Sequence, residues 1–250
     1  GIESRFTFAD GASRSAAWSP DGKLIAFASS RGGTSGDIYQ KASNNTGQDE
    51  LLYKSPVAKT PWGWSPDGRF IVFTSQDTNN QDDLLALPAK PGNGTERMPI
   101  PLVQSRFQDY MGQVSPDGRW LAYVSTESNR PQVYVIPFSP GKPVTGKWQV
   151  STGGGSQPRW RADGKELYYT SPERMLMAVE VKASESTFDR ATPQPLFELR
   201  FNPADNRTQY RYAPAPDGKR FLEQTDPGAT VGAEVTPVTL VTNWLAAVKR

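Results

Sequence analysis

Short apolar strands follow polar turns at regular places along the chain. In the clearest copy, the turn Ser65–Gly68 precedes Phe70–Phe73, a β-branched and aromatic run that would place apolar side chains on both faces of a strand. Pro66 suits the first central position of a type I turn, and Gly68 accepts the left-handed conformation that closes a hairpin. The pattern therefore predicts a β-hairpin whose second strand is buried on both sides.

This unit is repeated along the whole chain. Asp-Gly pairs begin at five positions about 50 residues apart, which are Asp21, Asp67, Asp117, Asp163 and Asp217. A period of this length made of short strands predicts an all-β fold, the β-propeller, with about five four-stranded blades in one domain over residues 1–250. The predicted blades span residues 11–54, 55–101, 106–150, 154–199 and 206–244.

The fifth predicted blade lacks one strand. Its three predicted strands are Gln209–Ala213, Lys219–Gln224 and Thr236–Thr242. An isolated strand at Ser4–Phe8, before the first turn, would be its fourth member, so the last blade would be closed by residues 3–8. Such closure removes the exposed sheet edges that promote aggregation.

Composition restricts the chemistry available to this protein. The chain contains 250 residues with no His and no Cys, which excludes Ser-His-Asp and Cys-His catalysis and histidine metal sites within it. Its net charge is +2 with both signs dispersed, so we expect no nucleic-acid partner. No apolar run is long enough to predict membrane insertion, and no targeting segment is recognisable at the start. We expect a monomer.

Candidate binding residues fall on one face of the predicted propeller. The Ser-Pro-Asp-Gly turns are expected on the opposite face, where they would stabilise the fold. The candidates therefore lie in the loops after the second strands and at the starts of the inner strands. Inner-strand residues would surround a central channel that holds a polar ligand or peptide tail, or only water. Trp62 lies outside the repeated Trp register and is predicted to be at a surface. The predicted ligand-binding residues are Arg31, Trp62, Arg106, Asp109, Tyr110, Glu127, Arg130, Gln157 and Arg159.

Two kinds of carboxylate chemistry remain open. Asp77, Asp82 and Asp83 lie in a loop rich in oxygen ligands that could hold Ca²⁺, although a solvated hairpin loop is the simpler interpretation. No other cofactor is expected. Glycoside cleavage needs two convergent acids, for which Asp37, Asp77, Asp109 and Glu127 are candidates.

The repeats resemble a known family of propellers. Trp18–Phe27 followed by Asp37–Tyr39 is similar to the PD40, or TolB-type, WD40-like repeat. Residues Arg5–Phe8 and Lys147–Gly155 resemble the C-terminal propellers of bacterial Ser/Thr protein kinases of the kind found in Acidobacteria-like genomes, in which further repeats usually lie upstream. The kinase motifs themselves are absent.

The resemblance implies a function in recognition. It implies an extracytoplasmic module, periplasmic or at the surface of a bacterial cell, that binds a protein, peptide or envelope polysaccharide as the sensor or scaffold part of a signalling protein. One alternative is a histidine-independent hydrolase or lyase that acts on a polysaccharide or ester through carboxylates. A further alternative is the gating propeller of a prolyl-oligopeptidase-like enzyme.

Overall fold

The chain folds into antiparallel sheets that follow one another along the sequence. The computed structural model describes residues 5–33, 35–76, 81–92, 96–184, 187–201 and 209–224. Within each of the first three sheets the strands pair in sequence order. The strands of these sheets are β1 (Ser13–Trp18), β2 (Leu24–Ser29), β3 (Asp37–Ala42) and β4 (Glu50–Tyr53) in sheet one; β5 (Lys59–Trp64), β6 (Phe70–Gln76), β7 (Asp82–Pro88) and β8 (Ile100–Val103) in sheet two; and β9 (Asp109–Val114), β10 (Trp120–Ser125), β11 (Gln132–Pro137) and β12 (Trp148–Gln149) in sheet three.

Sheet four differs from the predicted four-strand blade. It contains β13 (Ser156–Trp160), β14 (Glu166–Thr170), β15 (Met175–Ala183), β16 (Phe188–Arg190) and β17 (Gln194–Glu198). Strand β15 has nine residues and pairs with β17 along its first half and with β16 along its second. The described part of sheet five is the hairpin β18 (Tyr212–Pro214) and β19 (Phe221–Glu223).

The repeated turns explain why a hairpin forms at each copy. In the second copy, Gly68 has a φ of 70° and its N–H donates to the Ser65 carbonyl. The Asp67 carboxylate accepts from the Ser65 hydroxyl at 2.6 Å and from the Arg69 N–H at 3.0 Å. The Ser65 hydroxyl oxygen in turn accepts from the Phe70 N–H at 3.0 Å. The motif thus closes the turn with its own side chains, as its composition predicts.

Neighbouring sheets pack face to face around a common centre. Ala26, Ile38 and Leu52 of sheet one are buried against Ile71, Phe73 and Leu87 of sheet two. The inner strands β1, β5, β9 and β13 lie next to one another in that order. This arrangement is that of a β-propeller in which each described sheet is a blade, and it confirms the predicted fold class.

A tryptophan from one blade is hydrogen-bonded to the blade before it. Trp64 Nε1–H donates to the Ala17 carbonyl at 3.1 Å, and Trp160 Nε1–H donates to the Gln113 carbonyl at 3.2 Å. Trp18 holds the same register in blade one and has 44% of its surface exposed. The repeated Trp therefore packs between blades, as predicted, and in blade one it lies on the side opposite to blade two.

The predicted closing strand is not formed among the described residues. Residues 5–8 have no strand assignment and lie against blade one. The Phe6 ring contacts Phe27 edge-on, with a centroid distance of 6.2 Å, and the Phe6 carbonyl accepts from Lys41 Nζ at 3.0 Å. The predicted pairing partner, Thr236–Thr242, falls outside the described residues, so the closure stays a prediction.

One further feature concerns the membrane. Across the described ranges, no helix is long and apolar enough to cross a bilayer.

Candidate functional site

Each inner strand contains a β-bulge that redirects its side chains. The register with the second strand shifts between Arg14 and Ala17 in blade one and at equivalent places in blades two to four. In three blades the bulge contains a non-glycine residue in the left-handed region, namely Ser15, Met111 and Gln157, with φ of 57°, 56° and 54°. Each such residue costs on the order of 1 kcal/mol, and bulges of this kind commonly re-aim side chains near functional sites.

Side chains meet where the inner strands converge, which we call the central cluster: Trp62, Gln157, Arg159 and Tyr210. Tyr210 precedes β18, and its hydroxyl donates to the Met111 carbonyl of blade three at 2.9 Å. Its ring lies edge-on to Trp62 of blade two at 5.7 Å. The guanidinium carbon of Arg159 of blade four lies 3.6 Å from the centroid of the same ring. Tyr210 thus joins three blades at the centre of the propeller.

The prediction that Trp62 lies at a surface is wrong. Trp62 is buried, and its Nε1–H donates to the Thr74 hydroxyl of its own blade. The bulge at Trp62 turns the indole toward the centre, where it packs against Tyr210. Gln157 and Arg159, which were expected to border the central channel, lie in the same cluster, whereas the place of Trp62 there was not predicted.

Gln157 connects blade four to the segment that leads into β18. Its Oε1 accepts from the Arg211 N–H at 2.7 Å, and its backbone carbonyl accepts from the Tyr212 hydroxyl at 2.9 Å. Gln157 is fully buried. Burial also raises the pKa of the Tyr212 and Tyr210 hydroxyls, so both stay protonated and act as donors at neutral pH.

A second group of candidates lies at the loop end of blade three, which we call the blade-three loop face: Arg106, Asp109, Glu127, Arg130 and Lys147. Glu127 forms an ion pair with Lys147 at 2.5 Å. Lys147 Nζ also lies 4.4 Å from the centroid of the Tyr134 ring. Arg106 and Arg130 are exposed. Arg130 donates to the Gly153 carbonyl at 3.3 Å, and Arg106 lies over the ring of Phe107.

Asp109 lies beneath this face and is nearly inaccessible to solvent, with 1% of its surface exposed. Its Oδ2 accepts from the Ser105 hydroxyl at 2.7 Å, whereas its Oδ1 has no hydrogen-bond partner among the described residues. Burial raises the pKa of Asp109, and the hydrogen bonds from Ser125 and Ser105 oppose that shift only in part. Tyr110, the next residue, is buried as well.

Arg31 is held by a matching ion pair in blade one. It occupies the position in blade one that Glu127 occupies in blade three, and it bonds Asp49 at 2.6 Å while its guanidinium carbon lies 4.0 Å from the centroid of the Tyr39 ring. The two ion pairs have the same geometry with opposite polarity. Each pair joins the loop to the residue just before the outer strand of its blade. Ligand binding by Arg31 stays a prediction.

The calcium candidates are only partly described. Asp77 lies outside the described residues, and Asp82 and Asp83 begin β7, where Asp83 Oδ2 accepts from Gln104 Nε2 at 3.2 Å. In the part of the chain that the structure describes, no group of three or more acidic side chains is arranged to hold a metal ion. Calcium binding at this loop stays a prediction.

Two members of these groups were not predicted from the sequence. Tyr210 stands in the repeat at the same distance before the Asp-Gly turn as Tyr110, and this shared register was the available signal. Lys147 could not be paired with Glu127 from sequence because their contact depends on the register of the short strand β12 against β11.

Comparison with solved structures shows which folds are similar. No protein-family model matches the sequence, and no curated protein matches it. A putative TolB from Agrobacterium tumefaciens is similar with a TM-score of 0.55 and 19% identity over 73% of this chain and 64% of that one. TolB from Acinetobacter baumannii is similar with a TM-score of 0.54 and 20% identity over 83% of this chain and 53% of that one. The periplasmic gluconolactonase PpgL of Pseudomonas aeruginosa is similar with a TM-score of 0.52 and 14% identity over 75% of this chain and 58% of that one.

These similarities concern architecture. At such identities they show that the chain has a β-propeller fold like that of TolB-type proteins, which supports the predicted family of repeats. The matched region spans between 53% and 64% of the length of these structures.

Proposed function

We propose that the chain is a non-catalytic recognition module that binds a protein or peptide through the blade-three loop face. The observation that carries this proposal is that two arginines of this face are exposed, whereas its acidic groups are paired or buried. Glu127 is tied to Lys147, Asp109 is buried beneath, and Arg106 and Arg130 remain exposed on the same face. Exposed arginines on a rigid scaffold suit contact with an acidic partner, because the guanidinium binds carboxylates in a planar, two-pronged geometry.

The wider setting that we propose is bacterial signalling. The sequence resemblance to the propellers of bacterial Ser/Thr kinases suggests that the recognition module is the extracytoplasmic sensor of a larger protein. The similarity to a protein described as periplasmic, the gluconolactonase of Pseudomonas aeruginosa, is compatible with this setting. Fold similarity alone does not transfer function, because propellers host many unrelated activities.

A carboxylate-based hydrolase is the second candidate, and one observation favours it. The pKa of Asp109 is raised by burial, which is the property expected of a general acid. Against it, Asp109 has 1% of its surface exposed, so a substrate would reach it only after the loops above it move.

The test of the recognition proposal is a peptide selection. A phage-displayed random-peptide library is selected on the wild-type protein and on the variant with Arg106→Glu and Arg130→Glu. A matched control carries Lys165→Glu and Lys219→Glu, which produce the same charge change on two exposed turn residues of the opposite face. We expect acidic peptides that bind the wild type and the control with similar affinity and bind the loop-face variant at least tenfold more weakly.

Two outcomes would contradict the proposal. Equal binding by all three proteins would place recognition elsewhere. Turnover of a lactone, ester or polysaccharide substrate that is abolished by Asp109→Asn would establish the hydrolase instead.

A further inference from the structure

The guanidinium of Arg159 in the central cluster has no acidic partner among the described residues. Arg159 stacks on Tyr210, and none of the ion pairs within the described ranges includes it. Its Nε is buried and has no hydrogen-bond acceptor there. Two other cations in this part of the chain do have one: Lys59 pairs with Asp37 at 3.0 Å and Arg31 with Asp49.

Arg159 is half-buried, so its charge is hydrated only in part and has no acidic neighbour in the described ranges to compensate it. Burial lowers the pKa of the Arg159 guanidinium, and the neighbouring tyrosines oppose that shift only in part. Stacking on the Tyr210 ring offsets only part of the cost of removing water from the guanidinium. A partner that brings negative charge to Arg159 would therefore compensate this cation.

A second donor nearby also lacks an acceptor. Gln157 Nε2 is fully buried without a hydrogen-bond partner in the described ranges, while both Gln157 oxygens accept hydrogen bonds from the Arg211–Tyr212 segment. The side chains of Gln157 and Arg159, both in β13, contact the same segment, at Arg211 and Tyr210 respectively. The central cluster thus contains two buried N–H donors, on Gln157 and Arg159, that lack acceptors in the described ranges. An anionic ligand would supply the acceptors.

We propose that the central cluster is a binding site for a carboxylate, held by the Arg159 guanidinium and packed against the Tyr210 ring. A singly charged carboxylate matches one guanidinium in charge and in planar geometry. The aromatic rings of Tyr210 and Trp62 provide apolar area for the carbon atoms next to that carboxylate. The ligand is a small organic acid or the free carboxyl end of a peptide. The site is separate from the blade-three loop face and does not depend on the function proposed there.

Thermal unfolding at constant ionic strength tests the site. The probes are benzoate, its uncharged analogue benzamide, the peptide acetyl-Gly-Gly-Phe with a free carboxyl end, the same peptide as an amide, and inorganic phosphate. We expect a saturable rise of several degrees in the unfolding midpoint with benzoate, with the free peptide or with both, and no rise with either amide. The stronger of the two carboxylates identifies the source of the ligand.

Two variants assign the effect to Arg159. Arg159→Met should abolish the response, and it should raise the midpoint without ligand because an apolar side chain replaces an unpaired cation. Arg190→Met removes an exposed arginine of the same blade and should respond like the wild type.

Three results would overturn the proposal. They are an unchanged midpoint of the wild type with both carboxylates, an equal rise in Arg159→Met, and a rise with phosphate alone. If Arg159→Met does not fold, the wild-type protein decides alone, and an equal response to a carboxylate and to its amide also overturns the proposal.

Discussion

The first position of the inner strand holds a buried charged residue in two blades, and the two charges are compensated to different degrees. Lys59 and Asp109 both start an inner strand and are opposite Ser75 and Ser125 in the neighbouring strand. Lys59 pairs with Asp37 and also donates to backbone carbonyls, including that of Val57 at 2.7 Å. Asp109 receives a hydroxyl donor from Ser105 and keeps one oxygen without a described partner. The same position is therefore satisfied in blade two and costly in blade three.

Asp109→Asn should stabilise the fold at neutral pH. Since burial raises the pKa of Asp109 in the folded state, the folded protein prefers the protonated acid. Its contribution to stability is complete below the unfolded pKa of about 4 and is lost as the pH rises through the raised folded value. We expect the variant to be more stable at pH 7 by about 1 kcal/mol and the difference to vanish near pH 3.5. Chemical denaturation at both pH values measures this, and a destabilised variant at pH 7 would contradict it.

Residue-level chemistry was the least predictable part of the molecule. The sequence indicated that Arg31 and Glu127 lie in equivalent loops, but not that each is bound to a charge just before the outer strand of its own blade. That contact depends on how the third and fourth strands are aligned, and the fourth strands are short and irregular in sequence. Trp62 was misplaced for a related reason, because a bulge reverses the side to which its indole points.

At the scale of elements, residues 5–8 occupy the place of an outer strand. Phe6 precedes the inner strand of blade one by the same number of residues as Leu52 precedes that of blade two and Leu102 that of blade three. The packing is similar too: Leu52 lies in the same buried cluster as Phe73, and Phe6 packs on Phe27, the matching residue of blade one, at 6.2 Å. The segment thus covers the face of blade one in the way that a preceding blade would.

Phe6→Ala should therefore weaken the whole domain. Phe6 is half-buried and covers Phe27, so we expect a loss of about 2 kcal/mol, roughly half the cost for a fully buried Phe, and a midpoint lower by about 4 to 8 °C. Phe8→Ala is the matched control, because Phe8 has 63% of its surface exposed and its removal should change stability by less than 0.5 kcal/mol. Calorimetry of both variants decides the point; equal effects would mean that residues 5–8 do not act as part of the sheet packing.

At the scale of the whole molecule, the fold could be predicted because its signal is repeated. The turns supply their own hydrogen bonds, and the second strands of the first four blades are buried on both faces, so weak local signals reinforce one another. The irregular pairing of β16 and β17 could not be predicted, since both strands pair with different halves of one long strand, β15. Ring closure is likewise a property of contacts between distant segments and has no local signature.

We expect the ring to close between blade five and blade one. Tyr210 of the fifth repeat reaches Trp62 of blade two, which requires a narrow centre. Trp18, 44% exposed, needs a carbonyl like those that Ala17 and Gln113 provide to Trp64 and Trp160, and Ala213 holds the equivalent position in the fifth repeat. Leu222, 74% exposed, alternates with Phe221, which packs on Tyr168, and so faces away from blade four.

The closure can be measured with spin labels, because the chain has no cysteine of its own. Labels at Lys23 and Lys219, which follow the first and the last Asp-Gly turn, should be separated by the same distance as labels on adjacent blades, at Lys165 and Lys219. A pair two blades apart, at Lys23 and Arg119, supplies the longer reference distance. A Lys23–Lys219 distance that reaches or exceeds this reference would mean that the ring is open between these repeats and has room for another blade there.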